Sequence, residues 1–221
     1  MPNRIDLVLP CRDEEAALPT VFADIPDGVH VIVVDNGSTD RTREVARALG
    51  AHVVAEHTPG YGAAVQAGLA AATAPTVAIM DADGSMRARD LLPMVADVES
   101  GRATMSVGRR HPIRAGIWPW HARLGNALVL ARLRRRDGVT VHDIAPMRVC
   151  RRVELLELGV LDRRFGYPVE LLIRAAAAGW TVTEHDIAYL PRAANTRSKV
   201  SGSMRGSLAA ARDFAKALHD R

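Results

Sequence analysis

Two short segments hold most of the residues able to do chemistry. Met80-Asp81-Ala82-Asp83-Gly84-Ser85 follows an apolar run, and its two aspartates, one residue apart, set two hard oxygen ligands in one loop. Mg²⁺ and Mn²⁺ are bound by a few carboxylates, with phosphate oxygens and water completing the shell, so this spacing invites a metal diphosphate. An Asp-x-Asp by itself is also common turn chemistry, and its weight here comes from its position after a strand. Asp35-Asn36-Gly37-Ser38-Thr39-Asp40 ends a second apolar run with two carboxylates, an amide and two hydroxyls. Asp35 could accept hydrogen bonds from a nucleoside's base edge or ribose, or simply close an Asx turn; Asp40 reads as a cap for a helix starting near Arg41.

The elements that must position these residues follow from the hydrophobic pattern. Residues 5–9, stopped by Pro10, and 29–34 are short apolar runs that read as buried parallel strands, and 52–55 and 76–80 read as further strands. Helical spacing runs over 14–22, over 42–49 with Gly50 closing it, and over the alanine-rich 63–72. Strand, helix, strand in this order predicts an α/β fold, a doubly wound and mostly parallel sheet with helices on both faces. Ligands in such sheets bind at the carboxyl ends of the strands, which gathers residues 10–15, 35–40 and 81–85 on one rim.

Composition excludes several classes. The 221 residues are 48% hydrophobic and 24% charged with 17 Gly and 12 Pro, which suits one globular domain and excludes collagen-like, coiled-coil and disordered chains. No apolar run reaches the roughly twenty residues of a membrane span, and the N-terminus lacks a signal-like apolar core, so a cytoplasmic location is expected. Cys11 and Cys150 have neither metal-site nor redox spacing. Residues 1–101 carry 7 Lys/Arg against 15 Asp/Glu, whereas 102–221 carry 22 against 10. An acidic half that holds a cation and a basic half that faces an anion would divide this way. With aromatics at 4%, no nucleic-acid partner is expected.

Val8-Leu9-Pro10-Cys11-Arg12-Asp13-Glu14-Glu15, Val33-Val34-Asp35-Asn36-Gly37-Ser38-Thr39-Asp40-Arg41-Thr42, Gly60-Tyr61-Gly62-Ala63-Ala64 and Asp81-Ala82-Asp83-Gly84 resemble, in order, the motifs of family 2 glycosyltransferases with the GT-A (Rossmann-like) fold. The likeness continues through Val107-Gly108-Arg109-Arg110, Trp118-Pro119-Trp120, Asp143 with Met147-Arg148, and Phe165-Gly166-Tyr167-Pro168-Val169-Glu170-Leu171, and ends in Arg197-Ser198-Lys199-Val200-Ser201-Gly202. This later set is similar to the polyprenyl (dolichyl) phosphate sugar synthase branch. The resemblance implies a UDP- or GDP-sugar donor, Mg²⁺ or Mn²⁺, and inversion at the anomeric carbon. By the same resemblance Pro10, Arg12 and Glu14 edge the nucleotide pocket, Asp35 holds base or ribose, Asp81 meets ribose or metal, Asp83 meets metal, and Gly62 lets the backbone lie close to the donor. Ser85 stands where the branch commonly has a glutamine.

Displacing a nucleoside diphosphate builds negative charge on the leaving phosphate, which a metal and arginines stabilise. Arg109, Arg110, Arg148, Arg197 and Lys199 are the cationic candidates, and Arg109, Arg148, Arg197 and Lys199 match the family's motif positions. A hydroxyl acceptor needs a general base, whereas a phosphate acceptor is already ionised and needs positioning. Asp143 is the first candidate near the acceptor, as base or orienting group; Glu170, at a helix start where a carboxylate also suits the helix dipole, is the second. Ala145-Pro146 replaces the glycine usual in that motif. Residues 117–136 combine tryptophans, flanking arginines and Leu124, Leu128 and Ala131 at helical spacing. That pattern suits peripheral contact with a membrane's headgroup region, or a helix whose stripe faces the core.

The expectation is a metal-dependent inverting glycosyltransferase in a single domain over residues 3–205, with a nucleotide and metal half at 3–101, an acceptor half at 102–205 and a C-terminal helix at 206–221. The leading acceptor is a polyprenyl phosphate; a small soluble hydroxyl-bearing molecule is the alternative. A nucleotidyltransferase would carry a Gly-rich basic loop after the first strand, where this chain has Cys11-Arg12-Asp13-Glu14-Glu15. A non-catalytic nucleotide-sugar-binding module would not need Asp35, Asp81 and Asp83 together.

Overall fold

Alternation along the strands decides the architecture. In the computed structural model, which describes residues 5–193, the chain runs through β1 (Ile5–Cys11), α1 (Leu18–Phe22), β2 (Val29–Asp35), α2 (Thr42–Ala48), β3 (His52–Ala55), α3 (Tyr61–Ala71) and β4 (Thr76–Met80). It continues through α4 (Leu91–Glu99), β5 (Met105–Pro112), α5 (Trp120–Asp137), β6 (Met147–Arg151), α6 (Arg152–Glu157), α7 (Tyr167–Ala177) and β7 (Val182–Tyr189). The seven strands form one sheet in the order β3-β2-β1-β4-β6-β5-β7. β6 is antiparallel to both of its neighbours, and the remaining pairs are parallel. Arg197, Lys199 and the expected C-terminal helix lie outside the described residues.

Successive side chains of a strand point to opposite faces, and here both faces are apolar. Val8, Ile32, Val34, Val77, Ile79 and Val107 pack with residues of α3, α5 and α7, such as Leu69, Leu133 and Leu172. Leu7, Leu9, Val31, Val33, Ala78 and Met80 pack on the other side with Leu18 and Val21 of α1, Ala46 of α2 and Met94 and Val98 of α4. Each such aliphatic chain, fully buried, is worth about 1.5–3 kcal/mol, so the sheet is stapled from both sides and its rim is a rigid platform.

Two elements depart from the sequence reading. The helix expected over 14–22 begins only at Leu18, because the preceding amides are taken elsewhere: Glu14 N–H donates to Thr42 Oγ1 at 2.8 Å and Glu15 N–H to Asp40 at 3.2 Å. Asp13, at φ 53°, turns the chain to allow this. In α5 the stripe does not face the core. Leu130 and Leu133 are its buried residues, while Trp120, Leu124 and Leu128 are 75%, 50% and 63% exposed. No helix among the described residues is long and apolar enough to cross a membrane.

Candidate active site

The loops after β1 and β2 hold one another through backbone amides. Ser38 Oγ accepts from Asp13 N–H at 2.9 Å, Asp13 Oδ1 accepts from Thr39 N–H at 2.7 Å, and Glu15 Oε2 accepts from Arg41 N–H at 2.9 Å. Asn36 extends the lacing to the next loop, donating to the carbonyls of Glu56 and Thr58 and accepting from Gly60 N–H at 2.8 Å. Asp35 lies fully buried beneath this lattice and accepts from Arg43 Nε at 2.6 Å and Ser38 N–H at 3.2 Å. Burial works to raise its carboxyl, but the hydrogen bonds of Ser38 and Arg43 outweigh it and hold the group below the usual carboxylate range.

An open cavity of about 250 Å³ lies above the carboxyl ends of the central strands, lined by Pro10, Arg12, Glu14, Asn36, Gly60, Tyr61, Asp81, Asp83, Phe165 and Arg192 among others. The structure thus brings Pro10, Arg12, Glu14, Asp81 and Asp83 to one wall. Asp35 does not reach the lining; Asn36, the next residue, does. Burial and the neighbouring Asp83 carboxylate push the Asp81 carboxyl up to about 6, against the pull of Arg192, Arg148 and Arg110. Two hard carboxylates that repel one another are a donor set that a divalent cation fits. No third His, Cys, Asp or Glu joins them to make a metal cluster among the described residues.

Three guanidinium groups supply the positive field at this pair. Arg192 Nη1 lies 2.9 Å from Asp83 Oδ2. Arg148 is 1% exposed, donates to the Ile144 carbonyl at 2.8 Å and to the Tyr61 hydroxyl at 3.4 Å, and leaves Nε without a partner. Arg110 makes a two-pronged bond to Asp143, at 2.8 Å from Nε to Oδ2 and 2.6 Å from Nη2 to Oδ1, while its backbone N–H also donates to Oδ2 at 3.0 Å. The Arg110 guanidinium stacks 4.1 Å from the Trp118 ring centroid and 5.5 Å from that of Tyr189. Both Asp143 oxygens are thus engaged by Arg110. Arg109 turns to the opposite side of β5 and pairs with the half-exposed Asp186 on β7.

Glu170 and Gly62 shape the far wall from behind. The Glu170 carboxylate accepts from the amides of Leu161 and Asp162, at 3.1 and 2.7 Å, and pairs with Arg174 one turn along α7. The loop it holds is the one that Gly62 meets: a Cβ on Gly62 would sit 2.2 Å from the Asp162 carbonyl oxygen. Gly62 and Ala63 donate their amides to the carbonyls of Arg164 and Arg163. Its small size serves loop packing that carries Phe165 to the cavity. Sequence reasoning missed Arg192, a single arginine after a strand, Val182–Tyr189, of mixed polar and apolar residues. The period of two in β5 separates Arg109 from Arg110, but cannot say which of the two turns toward Asp143 and Asp81.

The family described as "Glycosyl transferase family 2" matches residues 6–159. An uncharacterized glycosyltransferase of Mycobacterium tuberculosis is 56% identical over 216 residues, 98% of each chain. The dolichyl-phosphate hexose transferase of Haloferax volcanii is 37% identical over 86% of this chain and 85% of its own. Glucosyl-3-phosphoglycerate synthase of M. tuberculosis, solved with Mg²⁺ and UDP, superposes with a TM-score of 0.80 at 25% identity over 99% of this chain and 79% of its own. In complex with Mn²⁺, UDP and phosphoglyceric acid it gives a TM-score of 0.79 at 26% identity, over 99% and 78%.

Proposed function

Because the chain belongs to glycosyl transferase family 2 and has the GT-A fold, we propose that it is a metal-dependent inverting transferase that moves a hexose from a UDP- or GDP-sugar to a polyprenyl phosphate. The observation that carries this reading is the meeting of the Asp81 and Asp83 carboxylates with Arg192 at one cavity of about 250 Å³, with the charges of Arg110 and Arg148 acting on Asp81 from behind its lining. Asp83 and Asp81 would hold Mg²⁺ or Mn²⁺, which, when bound, neutralises charge on the leaving diphosphate. Pro10, Arg12, Glu14 and Asn36 line the part of the cavity assigned to the nucleoside, and Asp35 stiffens the loop that carries Asn36. The buried guanidiniums stabilise the developing charge without reorganising, which is where electrostatic catalysis gains most.

The engaged state of Asp143 favours an acceptor that arrives ionised. A phosphate needs no proton removed, so a carboxylate spent on orienting Arg110 is no loss. The exposed Trp120, Leu124 and Leu128 of α5, flanked by Arg123, Arg132 and Arg134–Arg136, support peripheral seating on a lipid surface where such an acceptor resides. A small anionic soluble acceptor is the second reading, favoured by the likeness to a synthase solved with phosphoglyceric acid.

Release of nucleoside diphosphate from a panel of UDP- and GDP-sugars, with and without a short polyprenyl phosphate and with Asp83→Ala as control, tests the proposal. Release that requires metal, Asp83 and the lipid phosphate is the expected result. Slow hydrolysis that polyprenyl phosphate fails to accelerate would move the acceptor to a soluble molecule.

A further inference from the structure

Both carboxylate oxygens of Asp83 already have a partner. Its side chain is 4% exposed; Oδ1 accepts from Ser85 N–H at 2.9 Å, and Oδ2 is held by Arg192 Nη1 at 2.9 Å. The arginine is placed there by the backbone. Leu190 N–H donates to the Ser85 carbonyl at 2.9 Å and Ala193 N–H to the Asp83 carbonyl at 3.0 Å, so the segment after β7 is laced to the Asp83 loop on both sides of Arg192. A guanidinium fixed in this way is a resident cation on a carboxylate that family membership assigns to metal binding.

We propose that Arg192 is an internal counter-ion that blocks Asp83 until metal and nucleoside diphosphate arrive together, and then transfers its charge to the diphosphate. The inference rests on the donor and metal assignment above. A divalent ion alone must displace the guanidinium from Asp83 and leave two cations side by side in a partly buried setting, which opposes binding. A metal diphosphate removes that opposition, because its phosphate oxygens give Arg192 a new and geometrically suited partner within the same cavity. Metal and nucleotide affinities are thereby coupled, and by linkage each strengthens the other to the same extent. The device also explains why the site can do with two carboxylates: a premature ion is excluded, and the full charge is assembled only around the donor.

The test uses the full chain, Mn²⁺ alone followed by the loss of its free-ion paramagnetic resonance signal, and UDP and GDP titrated at saturating Mn²⁺. If Arg192 leaves Asp83 free about a tenth of the time, Arg192→Ala tightens binding of Mn²⁺ alone about tenfold. The same variant weakens binding of the nucleoside diphosphate at saturating Mn²⁺ by about tenfold, the loss of one charge-assisted contact. Opposite changes in one variant are the signature, since a damaged fold would weaken both. Arg192→Lys, which keeps a cation over Asp83, is expected to hold Mn²⁺ affinity near that of the wild type, and Asp83→Asn added to Arg192→Ala removes the gain. Mn²⁺ affinity that is unchanged or weaker in Arg192→Ala, while wild-type nucleotide binding remains metal- and Asp83-dependent, overturns the proposal and leaves the functional reading standing. A wild type that binds neither nucleotide with Mn²⁺ removes both.

Discussion

The loops that line the cavity and the arginines behind it are built by different means. On the nucleotide side, the groups sit in short loops after β1, β2 and β4 and are held by backbone amides a few residues away or in the adjoining loop, as Asp83 is by Ser85 N–H and Asp13 by Thr39 N–H. Behind the cavity, the guanidiniums that act on Asp81 are held largely by other side chains: Arg110 by Asp143, Trp118 and Tyr189, and Arg148 by the Tyr61 hydroxyl together with the Ile144 backbone carbonyl. Short carboxylate side chains are positioned largely by the amides of their own and neighbouring loops. Long cationic side chains, which lose more rotamer freedom on ordering, need stacking and a buried counter-charge to stay fixed.

The sharpest break of this contrast is at the metal-binding pair. Asp83→Asn keeps size and the Ser85 hydrogen bond but removes the charge, and metal-dependent release of nucleoside diphosphate is expected to fall by about 10³-fold or more with little change in melting temperature. Asp143→Asn should do the reverse. It leaves Arg110 buried beside a neutral partner, so stability drops by about 3 kcal/mol in chemical denaturation, while nucleoside diphosphate still binds. Transfer to a phosphate acceptor retains a measurable rate in that variant, about 10–100-fold reduced by misplacement of Arg110, whereas a reaction using Asp143 as base would be abolished.

The same contrast explains what could be read in the sequence. The first four strands, read as short apolar runs, the rim at residues 10–15, 35–40 and 81–85, and the acidic pair Asp81 and Asp83 all lie in motifs shorter than ten residues, whose chemistry is local. Helix α1 starts late because Glu14 and Glu15 N–H are captured by Thr42 and Asp40, contacts 28 and 25 residues away that no window of propensity contains. Arg192 is 109 positions from Asp83, and the backbone bonds of Leu190 and Ala193 to the Asp83 loop bring it across after β7. The α5 stripe shows the limit of periodicity itself: Leu124 and Leu128 repeat correctly for a helix, yet the buried side is set by Leu130 and Leu133.

Gly62→Ala tests whether the nucleotide rim depends on the loop behind it. The added methyl would meet the Asp162 carbonyl oxygen at 2.2 Å, and that backbone is itself tied down by Glu170. A loss of about 2 kcal/mol and weaker nucleotide binding are expected, read by thermal shift with and without UDP and Mn²⁺. Away from the cavity, Asp97 joins α4 to β7 through His185 at 2.8 Å and to Arg102 at 2.6 Å. Its carboxyl is pulled down to about 2, first by the His185 hydrogen bond and, against the effect of burial, by Arg102. A depressed folded-state value stabilises the protein above the ordinary carboxylate range and loses that contribution as pH falls from about 4 to about 2. Asp97→Asn should flatten the acid limb of the stability curve there while leaving nucleotide binding at neutral pH unchanged.

Arg109 and Arg110 offer the smallest effect and the finest comparison, because they are neighbours on one strand. Arg109 pairs with Asp186, whose side chain is 54% exposed, and surface pairs of this kind contribute about 0–1 kcal/mol. Arg110 is stacked, two-pronged and counted in the field at Asp81. Arg109→Ala should therefore change the transfer rate by less than about threefold, within the effect of a screened surface charge. Arg110→Ala, made beside it, should lower the rate by far more and raise the polyprenyl phosphate concentration needed for half-maximal rate. Equal losses from the two would mean that the net charge of β5 matters to the reaction and its alternation does not, which would undo the assignment of one face of that strand to the acceptor.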